Sequence, residues 1–441
     1  QHHDLVRSSL RSRKTISLAT EYIKQARFFL SWSCDYRGRM YSQQSFLHQH
    51  SSDFERSLLR FTDGCNLSSR GESWCSRAIG TALLGSRSSF LERSNWTYNN
   101  KELIKAIADN PIGMSAHWEE AAKPWQFLQL VLEWDRVVLK KEKHLWDIPI
   151  GADATASGLQ LLSAMRRDPK GMKFANLYPP DSPSSPPLDA YEEVLRIARE
   201  LANQSKDPQL ANYLTDRKLG KPILMKLLYN ASLRTNRTDV REHFIKEGLY
   251  PDVLDNSSIN KLTALIREAS RDVFPMAFEA LEWIQDLYKL SKLNGSDSIT
   301  WKTPTQDLIE LIEFKYHTKT IRTSHHGEVS IGTGEPKEVD FKAIGKALAP
   351  SFVHSYDAAV LKSAFKHWDN QLVLIHDQFK VLPNDMDKAL ERVRKGFVHV
   401  CSEDPLARLA DDLGVSQEQL PRLEQGEGKL EAVLDSAYMF N

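Results

Sequence analysis

The sequence predicts an α+β protein, mostly helical with a small antiparallel sheet. Three observations predict this class. Several long segments repeat apolar residues at the helical period, few short pieces resemble strands, and 41% of the 441 residues are hydrophobic. A chain of this length forms roughly two to four structural units, with enough apolar residues for a sizeable core.

Helical patterns outnumber strand patterns along the chain. The clearest amphipathic helices span 16–30, 124–141, 189–204 and 274–293. The strand-like pieces span 147–153, 298–301, 307–333 and 372–383. Between the second and third helix, residues 178–188 carry five prolines, which predicts an extended loop and a junction between subdomains. Residues 307–340 predict a long polar hairpin that turns at His325, His326 and Gly327.

Composition excludes some classes of protein. Lys plus Arg and Asp plus Glu both number 58, so net charge gives no sign of a nucleic-acid partner, and any basic surface must be local. Cys34, Cys65, Cys75 and Cys401 lack metal-ligand spacing, which argues against a zinc site or a disulfide framework and fits a reducing compartment. No apolar run reaches the roughly 18 residues of a membrane span, and no signal peptide is visible. We therefore expect no membrane partner and no secretion.

The segment LVLIHDQFKVLPN (372–384) predicts two apolar strands joined by a tight turn at His376 and Asp377. A carboxylate isolated beside a buried strand needs a partner, and a metal ion is one. The alternative is a surface turn, where Asp is common.

A second carboxylate has a similar setting. Residues 148–153 bring an apolar strand to Asp153, and small residues and a helix rich in Leu and Ala follow. The two carboxylates meet only if their strands pair in one sheet. Such a pair would bind magnesium, and two ions could clamp the attacking and leaving oxygens of a phosphoryl transfer. The alternative is two ordinary strand-end Asp residues.

Arg217, Lys221, Met225 and Tyr229 recur at intervals of four, so on a helix they form one stripe. The cations suit the phosphates of a nucleoside triphosphate, and the apolar and aromatic residues suit its base and sugar. The alternative is a solvated helix face with a half-buried Tyr.

Taken together, in this order, the three pieces resemble the polymerase motifs of single-subunit DNA-directed RNA polymerases of the bacteriophage and mitochondrial type. DATASGLQLLSAMRRD (153–168) is similar to their first motif, RKLGKPILMKLLYNAS (217–232) to their nucleotide-binding helix, and IHDQF (375–379) to their third motif. Further similar segments span 35–61, 300–304, 350–361 and 434–441. The resemblance runs from about residue 30 to residue 441, and it implies a right-hand polymerase with palm, fingers and the remnant of a thumb.

The resemblance implies roles for the residues that match. The metal ligands for two Mg²⁺ ions would be Asp153 and Asp377, with the carbonyl of Ala154 as a further ligand. The nucleotide would be bound by Lys221, Arg217, Met225 and Tyr191, and its ribose would be recognised by Tyr229 and His354. Template and growing RNA would contact Arg37, Arg39, Tyr41 and Arg56. His376 would orient the RNA end, or would pack as an ordinary turn histidine.

The sequence departs from the family pattern at three positions. Pro222 follows Lys221 where many members have Arg, and because Pro lacks an N–H we expect the helix to begin or kink there. Asn230 replaces the usual Gly after the tyrosine, and Asn tolerates a left-handed backbone. Gln378 stands where many members have Ser.

Gly158 bears on the choice between RNA and DNA. The related DNA polymerases resemble this pattern but carry a bulky Glu at that position, which acts as a wall against the ribose 2′-OH. Gly158 has no side chain, so a ribose fits and its 2′-OH can bond His354 or Tyr229. Taken alone, such a Gly indicates only a close helix–strand approach.

The resemblance also implies a division of the chain. We expect a thumb remnant at 1–30, the first part of the palm at 31–186, the fingers at 187–354 with a promoter-specificity hairpin at 307–340, and the second part of the palm with the tail at 355–441. The partners would be a DNA template, nascent RNA and ribonucleoside triphosphates. Because the chain starts at Gln1, we expect a missing N-terminal domain or a partner chain, and apolar exposure where that neighbour would lie.

The function that the sequence predicts is DNA-templated RNA synthesis. The alternatives are an inactive nucleic-acid-binding subunit, a related DNA polymerase and, more weakly, a metal-dependent nuclease. The expected location is the cytoplasm of a host cell, for a viral protein, or an organelle.

Overall fold

The computed structural model describes residues 2–293, 295, 298–323 and 327–441, without the side chains of 2–8 and 293. The helices are α1 His2–Tyr22, α2 Asp53–Ser57, α3 Ser69–Leu84, α4 Phe90–Asn99, α5 Lys101–Asp109, α6 Pro124–Trp134, α7 Ser157–Met165, α8 Pro169–Phe174, α9 Ala190–Gln204, α10 Arg217–Leu227, α11 Leu233–Lys246, α12 Asn256–Val273, α13 Pro275–Leu293, α14 Phe341–Phe365, α15 Met386–Ser402 and α16 Pro405–Asp412. The strands are β1 Trp32–Cys34, β2 Met40–Ser42, β3 Ile150–Asp153, β4 Ile299–Lys302, β5 Leu308–Leu311, β6 Phe314–Thr323, β7 Gly327–Val339, β8 Val373–Ile375 and β9 Gln378–Val381. The predicted class, mostly helical with small antiparallel sheets, is confirmed.

The sheet that matters for function has the order β3–β9–β8 and is antiparallel throughout. Alternation along β3 and β9 places Ile150, Ala152, Phe379 and Val381 on one buried face. Phe379 packs against Phe365 of α14 with ring centroids 5.3 Å apart. The opposite face carries polar residues, and Asp153 lies on it.

The helices α7, α14 and α15 pack against one another near this sheet. The 25-residue α14 is buried along most of its length and contains Pro350. A second group, α9 to α12, packs together around a core of its own aliphatic side chains. Asp189 caps α9 by accepting hydrogen bonds from the N–H groups of Tyr191 and Glu192, which fixes where that helix begins.

The expectation that the helix at Pro222 begins or kinks there is wrong about the start. α10 begins five residues earlier, at Arg217, because the Asp216 side chain caps it by accepting from the Lys218 N–H at 2.8 Å. The helix continues through Pro222, and its apolar inner face is buried. That burial offsets the lost backbone bond, a penalty of about 3 kcal/mol for an interior Pro.

The helix carries only the first three members of the predicted stripe, Arg217, Lys221 and Met225. α10 ends at Leu227, and Tyr229 lies in the turn that follows rather than on the helix. Asn230 has φ +61°, so it adopts the left-handed backbone expected of Asn, and the Ala231 N–H bonds the Lys226 carbonyl at 2.9 Å across the helix end.

The predicted hairpin at 307–340 is shorter than expected. Residues 308–311 form β5, which pairs with β4 instead, and the hairpin itself is β6 with β7. Ile309 and Leu311 are buried in the β4–β5 pair, so their burial decides the pairing. The predicted turn residues His325 and His326 lie outside the described residues.

The N-terminal segment differs from its expected helix over 16–30. α1 ends at Tyr22, and a small hairpin of β1 and β2, which the sequence analysis missed, follows it. Four apolar side chains of this segment are exposed: Leu10 53%, Ile16 53%, Ile23 83% and Phe29 85%.

Two expectations from composition match the described part of the chain. The cysteines at 34, 65, 75 and 401 are unpaired thiols. None of the helices among the described residues has both the length and the apolar character that a bilayer crossing requires.

Candidate active site

The pairing of β3 with β9 brings the two predicted carboxylates together. Asp153 ends β3 opposite Gln378, and Asp377 lies in the turn immediately before β9. The Ala154 N–H donates to the Asp377 carbonyl at 3.2 Å, so the two backbones are in direct contact. The expectation that these strands share one sheet is confirmed.

The turn between β8 and β9 is under backbone strain. His376 has φ +54°, a region that residues with a Cβ rarely adopt, at a penalty on the order of 1–3 kcal/mol. Its ring packs edge-on against Tyr41 and His50, with centroids 4.8 Å and 5.0 Å away. The buried Nδ1 of His376 has no hydrogen-bond partner among the described residues. The ring is therefore packed and yet retains a free polar atom.

The electrostatics of the pair favour a cation. Asp153 lines the cleft, where desolvation by the surrounding protein atoms and then the nearby Asp377 raise its pKa to about 7. Lys123, Lys221 and Arg56 act in the opposite direction. Among the described residues no hydrogen-bond donor reaches either carboxylate. Two neighbouring carboxylates that accept no hydrogen bond from these residues are suitable oxygen ligands for a hard divalent cation.

Residues 438–441 form the other wall of the site. The N–H and carbonyl of Asp153 bond the carbonyl and N–H of Asn441 at 3.1 Å and 2.8 Å, and Ala154 forms a bridge with Phe440. The Thr155 hydroxyl donates to the Tyr438 carbonyl at 2.5 Å. The resemblance of this tail to the family did not predict that the tail fixes the strand end at Asp153.

The first residues of α10 face the same cleft. Asp153, Tyr191, Arg217 and Lys221 line a common pocket of about 120 Å³. Arg217 is bonded to the Asp189 carboxylate through Nε, and its guanidinium lies 4.8 Å from the centre of the Tyr191 ring. Lys221 is exposed, so its ammonium is accessible to a ligand. Met225, one turn further along α10, is 40% exposed.

Tyr229 approaches α7 where Gly158 has no side chain. A Cβ at Gly158 would lie 3.2 Å from the Tyr229 hydroxyl oxygen and 3.3 Å from Cζ. Burial raises the pKa of Tyr229 to about 12, so its hydroxyl stays protonated and can donate. The Tyr229 and His354 rings have centroids 4.8 Å apart. Tyr229 itself therefore occupies part of the space at Gly158. A close approach of another part of the chain is the alternative interpretation of this glycine.

Two arginines of the Asp35–Tyr41 loop are held from α14. Arg37 contacts Asp35 at 2.7 Å and the Nδ1 of His354 at 2.8 Å. Arg39 binds Asp357 through two atoms, and the Asp357 side chain is only 4% exposed. Burial and both arginines lower the pKa of His354 to about 3, so His354 is neutral near pH 7.

Arg56 and Tyr41 complete the set of predicted contacts. Arg56 lies close enough to Asp153 to affect its charge, and its Nε has no partner among the described residues. Tyr41 stacks on His50, with ring centroids 5.7 Å apart, and its hydroxyl lies 3.4 Å from Arg37. The structure therefore links these predicted residues to the cleft by contact or by charge, whereas Met225 is not among the residues that line it.

Sequence reasoning missed the two acids that hold the arginines, Asp189 and Asp357. Asp357 lies three residues after His354 on α14, and Asp189 follows the Pro-rich loop as the cap of α9. A cation in a matching motif signals that an acid should lie nearby, but the separation of 318 residues between Arg39 and Asp357 hides the pairing.

A second group of potential metal ligands lies outside the cleft. Asp216, His243 and Glu247 bring one ligand atom each within 4.8 Å of the others. Asp216 already caps α10, and Glu247 is exposed. This group is therefore a less suitable cation site than the strand-end carboxylates.

Comparison with known proteins identifies the family. A family described as DNA-dependent RNA polymerase matches residues 66–433. This chain belongs to that family. The match spans both strand-end carboxylates and α10, which confirms the resemblance inferred from the motifs.

Several relatives are organellar DNA-directed RNA polymerases. The mitochondrial enzyme of Schizosaccharomyces pombe is 26% identical over 90% of this chain and 36% of its own length. The chloroplastic RNA polymerase 3B of Nicotiana tabacum is 26% identical over 97% of this chain and 45% of its own. The mitochondrial enzyme of Mus musculus is 25% identical over 91% and 34%. The chain thus spans about a third to a half of the length of these RNA polymerases.

Proposed function

We propose that this chain is the catalytic core of a DNA-directed RNA polymerase. In the reaction, the RNA 3′-OH attacks the α-phosphate of a ribonucleoside triphosphate and diphosphate leaves. The observation that carries the proposal is the junction of Asp153 and Asp377 in a cleft that Lys221 also lines.

Asp153 and Asp377 would hold two Mg²⁺ ions, with the Ala154 carbonyl as a further ligand. When bound, the ions supply charge stabilisation at the attacking and leaving oxygens. The protein's own part is to keep both carboxylates at one strand end, where the bonds between Asp153 and Asn441 and between Ala154 and Asp377 fix the backbone. Positioning of this kind accounts for much of the catalysis of phosphoryl transfer.

Lys221 would bind the triphosphate and give a proton to the departing diphosphate. Its exposure in the pocket supports this role. Arg217 is tied to Asp189 and stacked on Tyr191, so it would present a fixed guanidinium edge to the phosphates. Met225, which is exposed, would contact the base or sugar.

Tyr229 and His354 would recognise the ribose 2′-OH beside Gly158. Arg37 donates to the Nδ1 of the neutral His354 ring, so the His354 Nε2–H is a donor to that group. The protonated Tyr229 hydroxyl can donate to it or accept from it. Gly158 keeps a Cβ away from the Tyr229 hydroxyl, so the hydroxyl can reach this position.

Arg37, Tyr41 and Arg56 would contact the template and the RNA end, with His376 orienting that end. Arg39 is fully engaged with the buried Asp357, so it would position the loop rather than bind phosphate. The partners of the core would be the DNA template, nascent RNA and ribonucleotides.

The division into thumb remnant (1–30), palm (31–186 and 355–441) and fingers (187–354) remains a proposal. Its last border lies inside α14. We propose an organellar location, which the names of the relatives favour over the viral alternative. A further domain or partner chain would complete the assembly, consistent with the shorter span of this chain and its exposed N-terminal apolar residues.

Extension of labelled RNA on a primed DNA template, with magnesium and either ribonucleotides or deoxyribonucleotides, tests the proposal. Preferential ribonucleotide addition supports it. Preferential deoxyribonucleotide addition indicates a DNA polymerase, template binding without extension indicates an inactive subunit, and shortening of the RNA indicates a nuclease.

A further inference from the structure

A second cavity lies beside β3, and Lys221 is not among the residues that line it. Its walls come from α3, α4, the start of α6 and β9, and it borders the backbone of Gly151 and Ala152. Its volume is about 80 Å³, room for about three waters at their share of liquid volume. Asn441 lines both this cavity and the cleft of Asp153, so the two are neighbours.

The lining of the cavity is strongly cationic. Arg77, Arg93, Lys123 and Lys380 contribute to it, and none of its lining residues is Asp or Glu. The other polar lining side chains are the Thr81 hydroxyl, four amides and one indole. Four basic side chains and no acidic side chain in the lining make this cavity a candidate site for an anion.

Lys380 is the most isolated of these cations. Its side chain is 5% exposed, and its Nζ donates to the neutral Gln49 side chain at 3.0 Å and, more weakly, to Gln126 at 3.5 Å. No ion pair to Lys380 occurs within the part of the chain that the structure describes. Lys380 lies on the same sheet face as Gly151, and the absence of a side chain there leaves room for it.

The arginines also have unused donors. Arg93 is 0% exposed, and its terminal nitrogens bond only neutral oxygens. Its buried Nε has no partner among the described residues, and the same is true of the Nε of Arg77. Buried donors of this kind are usually satisfied, so they indicate a missing acceptor.

We propose that this cavity binds a small phosphate-type anion, inorganic phosphate or diphosphate, through Lys380, Arg77 and Arg93. A tetrahedral oxyanion offers several acceptors to convergent cationic donors, which a single chloride does not. The burial of Arg93 and Lys380 favours a small anion over a polymer backbone, and the exposed Lys123 would lie at the mouth. Binding needs no turnover, so the proposal does not depend on the polymerase activity proposed above.

The test is a titration of the whole chain with phosphate or diphosphate at constant ionic strength, without divalent metal or nucleic acid. Calorimetry gives the affinity, and thermal unfolding reports protection. Lys380→Met keeps the length of the side chain and removes its charge. Lys388→Met is the matched control, because Lys388 is an exposed lysine of the neighbouring α15.

We expect wild type and Lys388→Met to bind alike, and Lys380→Met to bind about tenfold or more weakly, since hydrogen bonds to charged groups contribute that much. Arg77→Gln should weaken binding in the same direction. If Lys380→Met retains wild-type affinity, or if acetate and chloride protect as well as phosphate, the site is not as proposed.

Two further arms separate the sources of the anion. If Lys380→Met weakens binding of a single-stranded oligonucleotide as much as that of diphosphate, the occupant is a backbone phosphate and the small-anion proposal fails. If Lys221→Met abolishes diphosphate binding and Lys380→Met does not, the anion occupies the catalytic cleft instead.

Discussion

The Arg39–Asp357 pair should be a principal stabilising contact between the Asp35–Tyr41 loop and α14. The Asp357 carboxylate accepts from Arg39 Nε at 3.0 Å and from a second guanidinium nitrogen, with side-chain exposures of 11% for Arg39 and 4% for Asp357. Burial acts to lower the pKa of Arg39, but the bonded Asp357 raises it overall, so Arg39 stays charged. Asp357→Ala leaves that charge buried and unpaired, which should destabilise the fold by about 3–5 kcal/mol.

Two variants calibrate this value. Glu391→Ala removes the acid of an exposed pair, since Lys395 and Glu391 are 65% and 60% exposed, and should cost at most about 1 kcal/mol. The double variant Arg39→Met with Asp357→Leu removes both charges, so it should recover most of the stability lost in Asp357→Ala.

Urea unfolding followed by tryptophan fluorescence and circular dichroism measures these differences. A cost for Asp357→Ala no greater than that for Glu391→Ala would refute the reasoning, because it would mean that Arg39 finds water or another acceptor. Primer extension by Asp357→Ala, under conditions where it is folded, should also fall, since Arg39 acts electrostatically with Asp377.

Two further predictions concern the active site, one concerns Lys380 and one concerns initiation. Asp377→Asn should abolish most extension of primed RNA, while filter binding of the template stays near the wild-type level. The affinity for the template depends mainly on contacts between Lys or Arg side chains and phosphates, which this change leaves in place. Extension at the wild-type rate would exclude Asp377 from catalysis. Tyr229→Phe should raise the ratio of deoxyribonucleotide to ribonucleotide incorporation by an amount equivalent to roughly 1–3 kcal/mol, and an unchanged ratio would contradict its sugar role. Burial lowers the pKa of Lys380 from 10.5 to about 7. Between these pH values the unfolded chain binds more protons than the folded chain, so the stability of the fold should rise from pH 7 towards pH 10.5. Thermal unfolding of Lys380→Met should show a flatter dependence on pH, and equal slopes for the variant and wild type would contradict the burial of a titrating lysine. Because the 441 residues span about a third to a half of the length of the relatives, run-off assays on this chain should give extension on primed templates and little promoter-specific initiation. Efficient initiation by this chain alone would contradict that expectation.

Local pattern was sufficient for the elements that contain the site. The apolar runs before Asp153 and Asp377 form β3 and β8, and the two residues between β8 and β9 form the expected turn. The left-handed backbone at Asn230 was also foreseeable, because it depends on that residue's own side chain. The start of α10 was misjudged because the rule for Pro222 was applied without the cap at Asp216.

Pairings over long separations were not predictable in the same way. Residues 308–311 alternate like the rest of the hairpin, yet they pair with β4 because that places Ile309 and Leu311 in the core. The alternation of apolar residues determines which face of a strand is apolar, but it does not determine which other strand will pair with it.

The sequence by itself determined the residue types of the site and the local elements that carry the two acids: apolar strands that lead to Asp153 and Asp377, and the basic residues Arg217 and Lys221 four positions apart. Only the tertiary structure decided that Asn441 holds the strand end at Asp153, that Asp357 neutralises Arg39, and that Lys380 is buried without an acid. The physical reason is that burial and pairing are set by atoms hundreds of residues away. Desolvation and Coulomb energies depend on those atoms, whereas backbone propensity depends on neighbours in the chain.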